Sequence, residues 1–367
     1  MFNGQLNSNE IFAAIYNMII SQEVFADNIK DAKSSLVDNA RVDGSLYGDT
    51  KLYYSTDVLE SYPWGNDAEA GNLLKIARPK GPKCQPITID VFRQIALTLD
   101  QYMSKRAFST EGAFASFNSV MLGWIRETKR IYDTTTYNVF IGTHETNVGK
   151  QDQEITLPTD TNAEAENRLQ AQTIAQKVAD VIVDLEDVSR EYNNYGHLRS
   201  YSADDFYYVW NAAYVNKINK LDLPTIFNKD FIDKFAEYTL PARYFGKVQT
   251  VGSKAITSDG VTIRSLIEQD VIDSSQVTHH VFAGDLIPAG IEVVSTAKVI
   301  YPCYKEDSNV IVKIVHKRAV PYMSGFEVGT SFFNPRALLT TNYLTFGHNT
   351  ITQLDDKPFI TLRAKAQ

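Results

Sequence analysis

Helical spacing of apolar residues dominates most of the first 240 positions of this chain, and from Lys247 onward the pattern turns to strands. Near the start, Ile11, Phe12, Ile15, Tyr16 and Ile19 repeat at helical spacing behind Asn7 and Glu10. Those two stand three apart, as in a capping box with Asn as the cap. A short helix with one apolar face is predicted, serving either a packed core or a partner-binding arm. Residues 41–90 break the pattern. Gly44, Gly48, Pro63-Trp64-Gly65, Gly71, Pro79, Gly81, Pro82 and Pro86 punctuate short strand-like runs. Residues 51–59 and 72–77 read as the legs of a long hairpin whose tip is Pro63-Trp64-Gly65-Asn66. Its second leg and flank carry Lys75, Arg78, Lys80 and Lys83 with no acid between them. A two-stranded ribbon is marginal alone in water and needs a surface to lie on, its own or a neighbour's.

Ser109 is placed to cap a long amphipathic helix running to about Thr135 along Phe114, Phe117, Met121, Trp124, Thr128, Ile131 and Tyr132, with a strand-like stretch at 137–141. Residues 142–162 are polar and loop-like. Thr161 and Glu164 then suggest a second capping box, and Leu169, Ile174, Val178, Val181, Ile182, Leu185 and Val188 predict a helix ending near Tyr192. Asp180, Asp184, Glu186, Asp187 and Glu191 crowd its end against Arg190 alone. Acids there oppose the helix dipole, so they are either solvated or met by cations from elsewhere. Asn193-Asn194-Tyr195-Gly196 stops the helix. Two shorter helices, 204–216 and 224–238, and strands at 262–264, 290–300, 310–316 and 359–362 complete the reading.

Composition narrows the class. The 367 residues are 44% apolar and 22% charged, the balance of an ordinary globular protein. At this length two or three subdomains are expected. The net charge of −8 argues against a free nucleic-acid binder. Cys84 and Cys303 alone make neither a disulfide framework nor a four-thiolate zinc site. The first basic residue is Lys30, and the longest early apolar run, 11–20, contains Asn17, so no export or membrane-spanning segment is expected.

Catalytic signatures are missing. GxGxxG, GxxxxGK[ST] and GxSxG do not occur. His144-Glu145 begins like HExxH, but Val148 replaces the second zinc ligand. His279-His280 would point to opposite faces of a strand, which suits a shared metal poorly. Asp204-Asp205 and Asp355-Asp356 read as a helix start and a turn. The expectation is no catalytic residue, no cofactor and no metal.

The order of elements carries more information. A short arm precedes a ribbon, then a long helix, a polar loop, a second long helix and a strand-rich end. Three stretches match a known family: residues 89–132, above all AFSTEGAFASF at 107–117; DVSREYNNYG at 187–196; and LDLPTIFN at 221–228. Together they resemble the major capsid proteins of tailed bacteriophages, the Hong Kong 97-like fold, with local similarity to small short-tailed, picovirus-type phages. The resemblance implies an α+β protein with an N-terminal arm and helix (1–44), an E-loop ribbon with its flanks (45–100), and a peripheral domain with spine helix and second long helix (101–200). A mainly axial domain (201–315) and C-terminal strands (316–367) follow. It implies a non-enzymatic homo-oligomer of pentamers and hexamers forming an icosahedral shell around double-stranded DNA. Such a shell is made in the bacterial host cytoplasm with portal, scaffolding and cement proteins. The inter-subunit contact is expected at Trp64, Lys75, Arg78, Lys80 and Lys83 of one copy and Asp180, Asp184, Glu186, Asp187 and Glu191 of another. Competing readings are an encapsulin-like compartment shell, a phage tail or baseplate protein, and a cytoplasmic hydrolase using scattered Asp and His.

Overall fold

Strict alternation of apolar and polar positions builds the longest strands. Ile87, Ile89, Val91, Ile95, Leu97 and Leu99 fall on one side of a single 18-residue strand, with Thr88, Asp90, Gln94 and Thr98 on the other. The computed structural model describes residues 36–44, 48–61, 78–100, 111–219, 238–249, 263–273, 275–288 and 302–365. The described helices are α1 (Leu36–Ala40), α2 (Glu111–Thr143), α3 (Ala163–Glu186) and α4 (Ala212–Asn219). The strands, in chain order, are β1 (Arg41–Asp43), β2 (Thr50–Ser55), β3 (Lys83–Asp100), β4 (Asp152–Ile155), β5 (Phe206–Asn211), β6 (Tyr238–Leu240), β7 (Gly246–Val248) and β8 (Ile263–Ser265). They continue as β9 (Gln269–Ile272), β10 (Thr278–Val281), β11 (Cys303–Glu306), β12 (Val310–His316), β13 (Tyr322–Asn334), β14 (Leu339–Asn349) and β15 (Phe359–Ala364). The predicted helix at 11–19, the hairpin tip at 63–66, the leg at 72–77, the helix body at 224–237 and the strand at 290–300 lie outside the described residues, as do Trp64 and Lys75.

The chain divides into two units. The first comprises Met1–Asp49, Thr88–Tyr137 and Tyr322–Thr350. Strands β1, β13, β14 and the greater part of β3 form its sheet, in that order. β13 and β14 form a long antiparallel hairpin, β3 pairs along β14, and β1 lies parallel against only the first residues of β13, Tyr322 to Ser324. Ile125 and Tyr132 of α2 pack on Leu344 and Phe346 of β14, flanked by Ile95 and Leu97 of β3. Beneath them, buried Asp133 accepts the Tyr322 hydroxyl at 2.6 Å and Arg41 Nη2 at 3.1 Å. Tyr132 donates to Nε2 of buried His348 at 2.8 Å, while His348 Nδ1 donates to the Asn349 carbonyl. Burial holds this histidine below its ordinary pKa, so the neutral ring is the working form.

The second unit comprises Thr50–Ile87, Asn138–Pro321 and Ile351–Gln367. Its main sheet runs β4-β15-β12-β5-β6. Every residue of β12 and β15 is buried, which explains their near-continuous apolar runs. α3 lays Ile174, Val178, Val181, Ile182 and Leu185 on this sheet against Tyr208, Ile314 and Ile360. Smaller sheets β7-β11-β8 and β9-β10 enclose Ile263, Val271, Val281, Ile287 and Cys303.

The stretch 142–162, read as loop, holds the last residues of α2 and strand β4, and three further expectations change. Residues 206–211, read as helix, are strand β5, and the helix begins only at Ala212. An aromatic and β-branched run between two partner strands fits a pleated, buried surface better than a helix. Residues 137–141, read as strand, are the end of α2, where Tyr137, Asn138, Val139, Ile141 and Gly142 are buried on several faces. α3 stops at Glu186 rather than near Tyr192, and its N-cap is Asn162, whose side chain accepts the Glu164 amide at 3.0 Å.

Candidate functional site

The segment that follows β2 is pinned at Ser55–Asp57 by residues remote in sequence. The Ser55 hydroxyl donates a short hydrogen bond to Asp356 and lies 2.8 Å from His197 Nδ1. Arg199 Nη2 donates to the Thr56 carbonyl at 2.7 Å and to Ser55 Oγ at 3.1 Å. Asp57 accepts Arg190 Nη1 at 2.6 Å and the Leu198 amide at 3.0 Å. The Arg190 guanidinium, then that amide, hold the Asp57 carboxyl far below the usual carboxylate range. Burial alone would raise Asp356, yet the Ser55 hydrogen bond with Lys357 and Arg199 brings it below its ordinary value. The turn 193–197 that presents these groups is itself braced. The Asn193 side chain accepts the His197 amide at 2.8 Å and donates to the His197 carbonyl at 2.7 Å, and Gly196 takes a φ of +65°.

Ser55, His197 and Asp356 are the residue types of a hydrolytic relay, but their arrangement is that of a clamp. In a relay the carboxylate holds the far nitrogen of the imidazole, and the serine hydroxyl gives its proton to the near one. Here Asp356 takes the serine proton directly, and serine and carboxylate both face the same nitrogen, Nδ1. A cleft of about 530 Å³ in the same unit is lined by Phe140, His144, Val148, Asn194, Gln353 and Asp355. Its amides are engaged with one another, Gln353 Oε1 lying 2.9 Å from His144 Nε2 and accepting from the Thr146 hydroxyl. His279 and His280 are occupied by carboxylates, Asp273 at 2.8 Å for the first, Asp270 at 2.7 Å and Glu268 at 3.1 Å for the second. Among the described residues no cluster of three or more His, Cys, Asp or Glu could hold a metal ion. No described helix is long and apolar enough to cross a membrane.

Apolar side chains are exposed on both sides of this clamp. Leu52, Tyr54, Val58 and Leu59 are exposed, Tyr54 by 65% and Leu59 by 76%. Leu52 and Tyr54 occupy alternate positions of β2, hence one face of the strand. The basic flank is solvent-facing as well. Lys80 lies 3.3 Å from Glu60, whereas Arg78 and Lys83 have no acidic partner among the described residues. Of the acidic group, Asp180, Asp184 and Glu186 are exposed on α3, Asp187 is its C-cap, and Glu191 stands in the following turn. Lys150, a cation the sequence reading did not count, approaches Glu191 at 2.8 Å and Asp184 at 3.6 Å. It comes from a turn at Gly149, where φ is +62° and a Cβ would sit 2.1 Å from the Glu191 carbonyl oxygen. Asp184 also accepts the Tyr192 hydroxyl, whose pKa burial and this carboxylate push up to about 12. Asp180, Glu186 and Asp187 have no cation within 4 Å among the described residues, and Val183 and Val188 nearby in sequence are exposed.

A long helix on a long-stranded sheet and a second helix–sheet unit make up the described fold, and solved phage structures share it. One similar chain is in the capsid structure of Staphylococcus phage Andhra, with a TM-score of 0.56 at 12% identity, covering 91% of this chain and 87% of that one. Another is in the structure of head fiber and inner core protein gp22 of native bacteriophage P68, with a TM-score of 0.61 at 12% identity, covering 90% and 84%. At such identities the likeness establishes the fold, an α+β Hong Kong 97-like one. No curated protein sequence matches the chain significantly. The model of the Phi29-like phage major capsid protein family matches residues 1–359, so the chain belongs to that family and is a structural protein of the virion shell.

Proposed function

We propose that copies of this chain close as pentamers and hexamers into an icosahedral shell around the phage's double-stranded DNA, each ribbon lying across a neighbouring copy. Exposed apolar Leu52, Tyr54, Val58 and Leu59, on either side of the pinned Ser55–Asp57 segment, carry this reading. Covering it returns roughly 25 cal/mol per Å² of apolar surface. Exposed ion pairs contribute only ~0.2–1 kcal/mol each. Basic Arg78, Lys80 and Lys83, with Trp64 and Lys75, then set the register against the acids of an adjacent copy. Asp180, Glu186 and Asp187 suit that role better than Asp184 and Glu191, which Lys150 already meets.

The subunit works without catalysis. Its surplus of negative charge keeps the wall from adhering to packed phosphate. The arm (1–44), ribbon (45–100), peripheral (101–200), axial (201–315) and C-terminal (316–367) segments divide the labour. Assembly takes place in the host cytoplasm with portal, scaffolding and cement proteins. The test is deletion of residues 58–68. The purified variant keeps its helical circular dichroism and sediments as free subunits, while the parent forms shells visible by electron microscopy. Normal particles from the deletion would refute the role of the ribbon. An enzyme cargo inside the parent's shells, in place of DNA, would favour an encapsulin-like compartment.

A further inference from the structure

His316 ends β12 and pairs across the sheet with Phe206 of β5. The residue is 8% exposed, and its ring lies against Tyr201 and Phe206, 5.7 Å from each ring centre. Nδ1 accepts the Arg318 amide at 3.0 Å, so the neutral imidazole carries its proton on Nε2. This bond closes the turn 316–319, which grips two other segments of the second unit through the backbone. The His316 amide donates to the Pro358 carbonyl at 3.2 Å and the Lys317 amide to the Asp205 carbonyl at 2.8 Å. The Ala319 carbonyl accepts the Leu354 amide at 2.7 Å, so the stretch 354–358 is held at both ends. Between those ends stands Asp356. Its side chain accepts the Ser55 hydroxyl, and its carbonyl accepts the Tyr201 hydroxyl at 3.1 Å. The imidazole therefore supports, through one turn and one aromatic ring, the carboxylate that pins Ser55.

The arrangement works only while Nδ1 keeps its lone pair. A proton there sets a donor against the Arg318 N–H, and a backbone amide, unlike a hydroxyl, cannot turn to accept it. The charged groups facing the ring are Lys357 and Arg318, which oppose a proton, and Asp205 and Asp356, which favour one. Tyr201 faces it too, and burial keeps that hydroxyl protonated. Burial and then Lys357 prevail at His316 and hold its pKa down to about 4. Once the turn opens to water, the ring returns to its ordinary value near 6.5. Between those two values the open turn binds the proton and the closed turn does not, so acid favours opening.

We propose that a proton on His316 opens the turn 316–319 and, through 354–358, draws Asp356 away from Ser55, while Asp57 stays held by Arg190. One of the two ties on the Ser55–Asp57 segment is then proton-operated and the other is not. His197 acts in the opposite sense, because a charge on it adds attraction to Asp356, 3.6 Å away. The device belongs to the single subunit and does not depend on shell assembly.

Hydrogen exchange of free full-length subunits, resolved to single amides and divided by the intrinsic rate at each pH, tests it. Leu354 donates to the Ala319 carbonyl and follows the turn. Asn194 donates to the Asp355 carbonyl at 2.7 Å and follows the Asp356 side of the clamp, while Leu198 donates to Asp57 and follows the other side. Between pH 7 and pH 4.5 the protection of Leu354 and Asn194 falls about 50-fold, the ratio set by a ring that titrates near 4 when closed and near 6.5 when open. Leu198 keeps its protection. His316→Asn places a side-chain oxygen near the position of Nδ1 without a titrating group, and in this variant both amides lose their pH dependence. Constant protection of Asn194 in the parent would overturn the release. An equal fall in His316→Asn would overturn it too, since the proton then acts elsewhere. Should the variant not fold, the parent still decides: Asn194 losing protection while Leu354 keeps it, or Leu198 falling with both, would overturn the path through 316–319.

Discussion

Lys313 is a charge-bearing side chain in the middle of β12, with 0% of its surface exposed. Its ammonium donates to the His144 carbonyl at 2.8 Å and to the Thr361 hydroxyl at 3.1 Å, two neutral acceptors. Burial pushes its pKa down to about 7 from an ordinary 10.5, against the partial relief offered by Glu145. At about 1.36 kcal/mol per pH unit, that gap makes the charged form on the order of 5 kcal/mol less favourable inside than in the unfolded chain. The unfolded lysine binds more protons than the folded one between pH 7 and 10.5, so stability from this group rises with pH across that window. The penalty is complete below about 7. Lys313→Met keeps the aliphatic stem and removes the charge, but leaves the His144 carbonyl without this donor, at a cost of ~1–3 kcal/mol. The variant is therefore more stable than the parent by about 2–4 kcal/mol at pH 6, and the advantage shrinks or reverses by pH 10. Urea denaturation of unassembled subunits measures this, followed by tryptophan fluorescence. Trp210 is a good reporter, since it pairs across the sheet with Val312, next to Lys313. A stability difference between variant and parent that stays constant from pH 6 to 10 would refute the reasoning.

Gly149→Ala meets both a left-handed φ, ~1–2 kcal/mol for a residue with a side chain, and the Glu191 carbonyl oxygen at 2.1 Å. It lowers the melting temperature of the free subunit and loosens the Lys150 pairs with Asp184 and Glu191. Asp57→Asn weakens its bond to Arg190 and frees the ribbon root; limited proteolysis then cuts near residues 55–61 sooner than in the parent, with the melting temperature little changed. His280 is held above its ordinary pKa, first by Asp270 and then by Glu268. Its contribution is complete below about 6.5 and is lost as pH rises through the raised folded value, so the protection of β9–β10 hairpin amides, measured relative to their intrinsic exchange rate at each pH, is lower at pH 8.5 than at pH 5.5, a difference abolished by His280→Gln. Reversing Lys80 and Lys83 to Glu raises the fraction of unassembled protein on sedimentation, and Asp180→Lys with Glu186→Lys restores part of the yield; no restoration would discard that pairing.

Strands β12 and β15 were legible to within two residues because their burial on both faces leaves a continuous apolar run. The end of α3 was read too far because Val188 keeps the helical spacing beyond Asp187, where the backbone has already turned extended. Phe206, Tyr207, Trp210 and Tyr214 satisfy the helical period, and nothing local says that β12 and β6 will flank them. β3 was not read as a strand: Phe92 on its polar side and Arg93 on its apolar side break the alternation, and its first residues were absorbed into the ribbon. The clamp could not be seen at all. Ser55 meets His197 across 142 positions and Asp356 across 301, and neither spacing leaves a trace in a single sequence.

The two halves of the ribbon's design answer to different forces. The root is held by charge-assisted hydrogen bonds to Asp57 and Asp356, both below their ordinary pKa. A depressed carboxylate contributes stability above its unfolded value, near 4, and loses it only as pH falls through the lower folded value. The root therefore keeps its direction across neutral and mildly acid solution. The row Leu52, Tyr54, Val58 and Leu59 carries no charge and draws on water exclusion, which responds to temperature and excluded cosolutes and only weakly to salt or pH. Direction and adhesion are thus separable. On the proposed contact, a change of salt would shift the register of the basic flank and a change of temperature the adhesion, and neither would unpin the root. A subunit built this way can form a weak contact, lose it and form it again at the same angle, which is what a closed shell requires of each copy as it joins.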